Sequence, residues 1–238
     1  MSDTASHTVK SFDDDLAQLR TRIGEMGGLV EAQINAAVDA LARRDVDAAM
    51  QVVAQDKRID AIELEAERLA ITTIALRAPM ADDLREIIAV LKISNMLERI
   101  GDYAANIAKR VTVLAQSAPI QPSVIIPEMA RAVAAMVKDA LDAYADRDPA
   151  QAAEVCERDR VVDDLYASLF RSLLTYMMEN PHHITPSAHL LFVAKNLERV
   201  GDQATNIAEV VYFSATGRHI TDRRKQDDSP YALAEERM

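Results

Sequence analysis

The same helical sentence is written twice in this chain. NMLERIGDYAANIAKR occupies positions 95–110 and KNLERVGDQATNIAEV positions 195–210. From 91–110 to 191–210 the offset is 100 throughout. Upstream it is 103: RDVDAAMQVVAQDKRID at 44–60 matches RDPAQAAEVCERDRVVD at 147–163. The change of three falls between the two blocks, so the repeating unit is larger than either of them. A duplication of this length constrains the fold before any residue is considered singly, because each copy must form the same supersecondary unit.

That unit is helical. Almost everything between Ser11 and Ala215 has helical periodicity, and no strand pattern survives. Aromatics make up only 4% and Gly 6 residues, while Ala, Leu, Val, Ile and Glu dominate, a helix-forming composition. Asp45 and Asp148-Pro149 read as helix starts, and Asp83 with Glu86 has capping-box spacing. Thr185-Pro186 reads as the start of the last helix, and QSAPIQPS at 116–123 as the linker between copies. Six helices are expected, at about 8–43, 46–78, 82–115, 123–146, 149–179 and 186–215. The expected fold class is all-α: two tandem three-helix bundles related by internal duplication, at 8–115 and 123–216. Residues 217–238, mixed in charge and rich in turn formers, are expected to form a loosely ordered tail.

The formal charge is -11, which argues against non-specific binding to nucleic acid or insertion at an anionic membrane surface. Cys156 is the single cysteine, so no intramolecular disulfide can form and a reducing compartment fits. The start lacks a basic region followed by an apolar run, and no apolar run is long enough to span a bilayer. The expectation is a cytoplasmic protein.

Within the duplicated block the acids keep their places. Glu98, Asp102 and Asn106 are four apart in succession, as are Glu198, Asp202 and Asn206. Upstream, Asp56 and Asp60 form another such pair, and so do Asp159 and Asp163. Four-residue spacing lays these side chains along one helix stripe. In an antiparallel hairpin, residues equidistant from the turn share a level. With turns at Pro79 and at Asn180-Pro181, Asp56/Asp60 fall level with Glu98/Asp102, and Asp159/Asp163 with Glu198/Asp202. Each level lies roughly 30 Å from its turn.

Carboxylates gathered this closely repel, and the repulsion grows as burial lowers the dielectric. Protonation, arginine or metal could compensate. An all-oxygen donor set suits hard cations such as Mg²⁺, Ca²⁺, Mn²⁺ or iron. The bland alternative is a solvated acidic face paired with Lys57, Arg58, Arg99, Arg158, Arg160 and Arg199; both readings stand at this point. Gly101 and Gly201, inside the motif, suggest close helix approach. His182, His183 and His189 lie far from the acidic level and have no repeat counterpart, so they are not expected ligands, and Cys156 reads as core. No phosphate-binding glycine loop and no nucleophile triad is recognisable.

With these residues in hand, LERIGDYAANIA, LERVGDQATNIAE and the preceding PMADDLREIIAVLKISNMLER resemble the PhoU family of bacterial phosphate-signalling regulators, over about 8–216. The resemblance implies a PhoU-like pair of bundles with pseudo-twofold symmetry, often forming a homodimer. It implies metal clusters (Fe, Mn, Mg or Zn) on the acidic motif pairs. It further implies a non-catalytic negative regulator of phosphate uptake and of the phosphate-starvation response. The implied partners are the ATPase subunit of a phosphate ABC transporter and a sensor histidine kinase. The competing class is a di-metal carboxylate enzyme. Helical di-iron sites typically use Glu-x-x-His, and here Gly101 and Gly201 occupy the histidine positions. One departure is Arg85, whose PMADDLR entry has no equivalent in PHHITPSAHLL.

Overall fold

A computed structural model describes residues 3–220. Six long helices follow one another: α1 (Asp3–Arg43), α2 (Val46–Arg77), α3 (Asp82–Leu114), α4 (Ile126–Asp146), α5 (Pro149–Glu179) and α6 (Ile184–Thr216). Short 3₁₀ turns at Gln121–Ile125 and Pro181–His183 lead into α4 and α6. Among the described residues there is no strand, and no helix is long and apolar enough to cross a membrane.

The helix starts follow from local chemistry. Asp45 accepts from the Ala48 amide 2.9 Å away, and Asp148 accepts from the Ala150 and Gln151 amides at 2.8 and 3.2 Å. Each cap satisfies amides that a helix N-terminus leaves without partners. The residues just ahead of these caps, Arg44 and Arg147, both adopt left-handed backbone, with φ of 58° and 53°. They are equivalent in the two copies, so the duplication extends to a backbone conformation that non-glycine residues rarely adopt.

Two expected starts differ. α3 begins at Asp82 behind Ala81, which has φ of 48° and supplies no side-chain cap. Glu86 does not reach back to close a capping box with Asp83. It is buried, held by Arg20 at 2.6 Å and by Arg147. Two guanidiniums outweigh one backbone amide for a carboxylate leaving water. α6 begins at Ile184 rather than at Thr185-Pro186, because Asn180 Oδ1 accepts from the His182 amide and launches the 3₁₀ turn that runs into the helix. Pro186 then sits in the first turn, where its missing N–H costs nothing.

α3 packs on α1, α2 and α6, while α6 packs on α4, α5 and α3. These two helices are the centre, and α2 and α5 flank them. α2 accordingly buries one stripe, Val52, Ile59, Ile62, Ala66, Ala70 and Thr73, whereas α3 is buried around much of its circumference. α3 and α6 run antiparallel, and three contacts give their register. Arg199 lies over the Tyr103 ring, Arg110 over the Phe192 ring, and a Cβ on Gly217 would lie 3.8 Å from the Arg85 guanidinium. In each pair the α3 residue is as far from Gly101 as its partner is from Gly201, on the opposite side. The duplicated motif is therefore the centre of the crossing. The fold is all-α, two tandem three-helix bundles related by internal duplication.

Of the expected tail, residues 217–220 pack against the body: Gly217 closes α6, His219 stacks on Phe213 at 4.8 Å, and Ile220 is buried. Ring stacking and an apolar side chain join these four residues to the helical body. Residues 221–238 lie outside the described residues.

The two motif glycines differ in function. A Cβ on Gly101 would lie 3.0 Å from Ile59 Cδ1, 3.1 Å from Asp56 Oδ1 and 3.2 Å from Gln33 Oε1. A Cβ on Gly201 would make only ordinary contacts, the nearest 3.5 Å away at Val162. Close approach therefore explains Gly101 and does not explain Gly201. Gly201→Ala should stabilise the protein by up to ~1 kcal/mol through helix propensity, and Gly101→Ala should forfeit that gain or destabilise. Urea denaturation of both variants checks this; equal gains would remove the steric argument.

Glu86→Gln should cost about 1–2 kcal/mol. That is less than the roughly 3–5 kcal/mol of a fully buried broken pair, since the Arg20 and Arg147 side chains are 47% and 59% exposed and can return to water. A loss within experimental error of zero would mark Glu86 as a spectator.

Candidate metal centre

The α2–α3 and α5–α6 hairpins each bring four carboxylates to one level, at the crossing of α3 and α6. On every helix the first acid of the pair is partly buried and the second exposed: Asp56/Asp60, Glu98/Asp102, Asp159/Asp163 and Glu198/Asp202. The pattern arises because each pair straddles the edge of an apolar stripe. Ile59 lies between the first pair and is buried, as Val162 is in the third, Gly101 in the second and Gly201 in the fourth.

The carboxylates act on one another across each hairpin. Burial raises the Asp56 pKa and the charges of Asp102 and Asp60 raise it further, while a hydrogen bond donated by Gln33 Nε2 at 3.1 Å and the Lys109 charge oppose them. Glu98 is raised by burial and then by Asp102, Asp60, Glu63 and Asp56. In the second half Asp159 is raised by burial, Asp163 and Glu198, with the Thr205 hydroxyl opposing. Asp202 is raised by burial, Glu198, Asp159 and Asp163, with Lys195 opposing. Every member of each quartet therefore takes part in one electrostatic cluster, at the level the hairpin spacing predicts.

Three of the arginines that could have neutralised these clusters are engaged elsewhere. Arg58 donates to Glu25 at 2.9 Å, Arg158 pairs with Asp139, and Arg199 lies over Tyr103. Asn106 accepts from Lys109 at 3.1 Å, and Asn206 lines a groove between α3 and α6 with Met96 and Val210. Cys156 is buried. His183 packs tilted against the Tyr176 ring, and burial, with Arg110 close by, lowers the His189 pKa.

Sequence reading missed three participants. Glu63 lies one turn beyond Asp60 and adds its charge to Glu98. Lys195 ion-pairs with Glu198 and sits 5.4 Å from the centre of the Tyr166 ring. Three-residue spacing on the helix could have flagged both Glu63 and Lys195. Gln33 comes from α1 and is 3% exposed. Its signal is a lone amide among the apolar positions Val30, Ile34 and Ala37, all buried.

Among the described residues, no three carboxylates, imidazoles or thiols already converge into a metal-holding group. The clusters are coupled in charge and open in geometry. The donors nevertheless suit a hard cation: oxygen only, mutually repelling, with Gln33 Oε1 buried beside Gly101 and without a hydrogen-bond partner. An ion drawing the acids inward would remove the repulsion that raises their pKa values.

A PhoU domain model matches residues 23–111 and again 126–211. The phosphate-specific transport system accessory protein PhoU homolog of Zymomonas mobilis is 54% identical over 222 residues, 93% of this chain and 94% of that protein. The homolog of the same name from Caulobacter vibrioides is 48% identical over 223 residues, 93% of this chain and 97% of its own length. The crystal structure of PhoU from Pseudomonas aeruginosa superposes with a TM-score of 0.84 at 38% identity, covering 87% of this chain and all of that one. Both halves of the chain match one domain model, and relatives align from end to end: the chain belongs to the PhoU family.

Proposed function

We propose that this protein is a cytoplasmic, non-catalytic adaptor of phosphate-specific transport and a negative regulator of phosphate uptake and of the phosphate-starvation response. It would join the ATPase subunit of a phosphate ABC transporter to a sensor histidine kinase. The observation that carries the reading is the 54% identity, over nearly the whole chain, to a phosphate-specific transport system accessory protein. The surface supports it. Both hairpin tips expose apolar side chains at equivalent positions, Ile71 with Leu174 and Leu84 with Ile184, and Met80 and Met178 are 80% and 87% exposed. Duplicated apolar tips suit protein partners, including a second copy in a homodimer. Affinity purification from phosphate-rich and phosphate-starved cells tests the adaptor. Co-purification of the ATPase and the kinase, varying with phosphate, is expected; their absence in both conditions contradicts it.

The metal reading belongs to the same proposal. Asp56, Asp60, Glu98 and Asp102 would hold ions in the first half, and Asp159, Asp163, Glu198 and Asp202 in the second, with Asn106 and Asn206 a turn further on. When bound, such ions (Fe, Mn, Mg or Zn) supply positive charge that ties α2 to α3 and α5 to α6. The residues themselves set the level, exclude water on their buried side and leave one exposed acid per helix for entry. Replacing Asp102 and Asp202 together by Asn should lower bound metal after purification and raise the melting temperature of the chelator-treated protein, because repulsion is relieved. Unchanged metal content would remove this assignment.

The raised carboxylates give a pH dependence whose sign is determined. Asp56, Glu98, Asp159 and Asp202 hold protons more tightly folded than unfolded. Their contribution to stability therefore grows as pH falls through the raised folded values and is complete below the ordinary carboxylate range. Metal-free wild type should gain melting temperature relative to the double Asn variant as pH is lowered from 7 to about 5. Saturating Mn²⁺ should abolish that relative gain. Parallel curves for the two proteins without metal would contradict the coupling.

A further inference from the structure

We propose that the two acidic clusters are inequivalent cation sites. The first is the tighter, and the second is held off by a built-in ammonium, Lys195. The inference rests on the cation reading above and goes beyond it in ranking the sites and naming the residues responsible.

The duplication makes the comparison position by position. Glu63 in the first half corresponds to Tyr166 in the second, Asn95 to Lys195, and Gln33 to Met136. The first cluster thus gathers Asp56, Asp60, Glu63, Glu98 and Asp102; the Lys109 ammonium, which donates to Asn106, acts on Asp56 less than Asp102 and Asp60 do. The second gathers Asp159, Asp163, Glu198 and Asp202 around an ammonium already paired with Glu198 and resting over the Tyr166 ring. Tyr166 supplies a face for the ammonium where Glu63 supplies another negative charge.

Gln33 adds an independent difference. It is 3% exposed, and its Nε2 is committed to Asp56. Its Oε1 has no hydrogen-bond partner and lies against Gly101, between Glu98 and Asp102 on α3. A buried carbonyl oxygen left without a donor is a neutral ligand of the kind hard cations take. Met136, fully packed in the second half, offers only a thioether, which suits soft metals. Gly101 is the glycine that close approach requires, and the atoms it admits are Ile59 Cδ1 together with Asp56 Oδ1 and Gln33 Oε1.

Mn²⁺ titrated calorimetrically into chelator-treated full-length protein tests the ranking. Wild type should show two affinity classes separated by at least about tenfold, since one fixed charge beside a divalent ion is worth that much under surface-like screening. Asp102→Asn should remove the tight class and Asp202→Asn the weak one. Lys195→Gln should tighten the weak class by about tenfold and leave the tight class alone, and Gln33→Leu should weaken only the tight class. Helicity and melting curves without metal confirm that each variant is folded. Equal affinities in wild type, loss of the tight class in Asp202→Asn, or no effect of Lys195→Gln would overturn the ranking while leaving cation binding intact. No Mn²⁺ binding in wild type would overturn the cation reading itself.

Discussion

The antiparallel seam between α3 and α6 is the contact on which the rest of this molecule depends. Its register places Gly101 and Gly201 at one level, with Ala104, Ala108, Ala204 and Ala208 buried beyond them. Gly101 faces α1 and α2, and Gly201 faces α4 and α5, so the flanking helices close on the seam at that level, each with one apolar stripe. On α2 and α5 that stripe runs between two acids. Hydrophobic burial thus drives carboxylates toward one another on both flanks, and raised pKa values at Asp56, Glu98, Asp159 and Asp202 are the electrostatic consequence. Core packing of this extent can sustain such repulsion, because each fully buried Ile or Leu contributes about 1.5–3 kcal/mol.

The halves share a frame and differ in detail. Arg44 and Arg147 occupy equivalent turns with the same left-handed backbone, yet Arg44 donates to the Ser117 carbonyl and Arg147 holds Glu86 across the two bundles. The position equivalent to Glu86 is Pro186, so only one end of the seam carries this ionic tie. The acidic clusters diverge in the same manner, through Lys195 and Gln33. A duplicated protein with unlike halves can present unlike surfaces and unlike responses to cations, which the proposed adaptor role would require.

Much of this was legible in the sequence. A repeat with offsets of 100 and 103 and clear helix caps at Asp45 and Asp148 implied six helices in two bundles, and hairpin arithmetic placed at one level acids that act on one another across each hairpin. The arithmetic works because long antiparallel helices keep register. The misreadings have a common cause. The spacing of Asp83 and Glu86 is that of a capping box, but two arginines from α1 and the α4–α5 turn claim Glu86, and nothing local to α3 announces them. Gln33 likewise reaches the first cluster from a third helix. Gly201 shares its sequence context with Gly101 and lacks the crowding, since Val162 stands further off than Ile59 does.

The measurement that bears most directly on the central claim is anomalous diffraction from crystals of the full chain grown with Mn²⁺, recorded at the manganese edge. The account predicts peaks between Asp56, Asp60, Glu98 and Asp102 and between Asp159, Asp163, Glu198 and Asp202, the first of higher occupancy at limiting metal. Ordered manganese elsewhere, with neither cluster occupied, would contradict it.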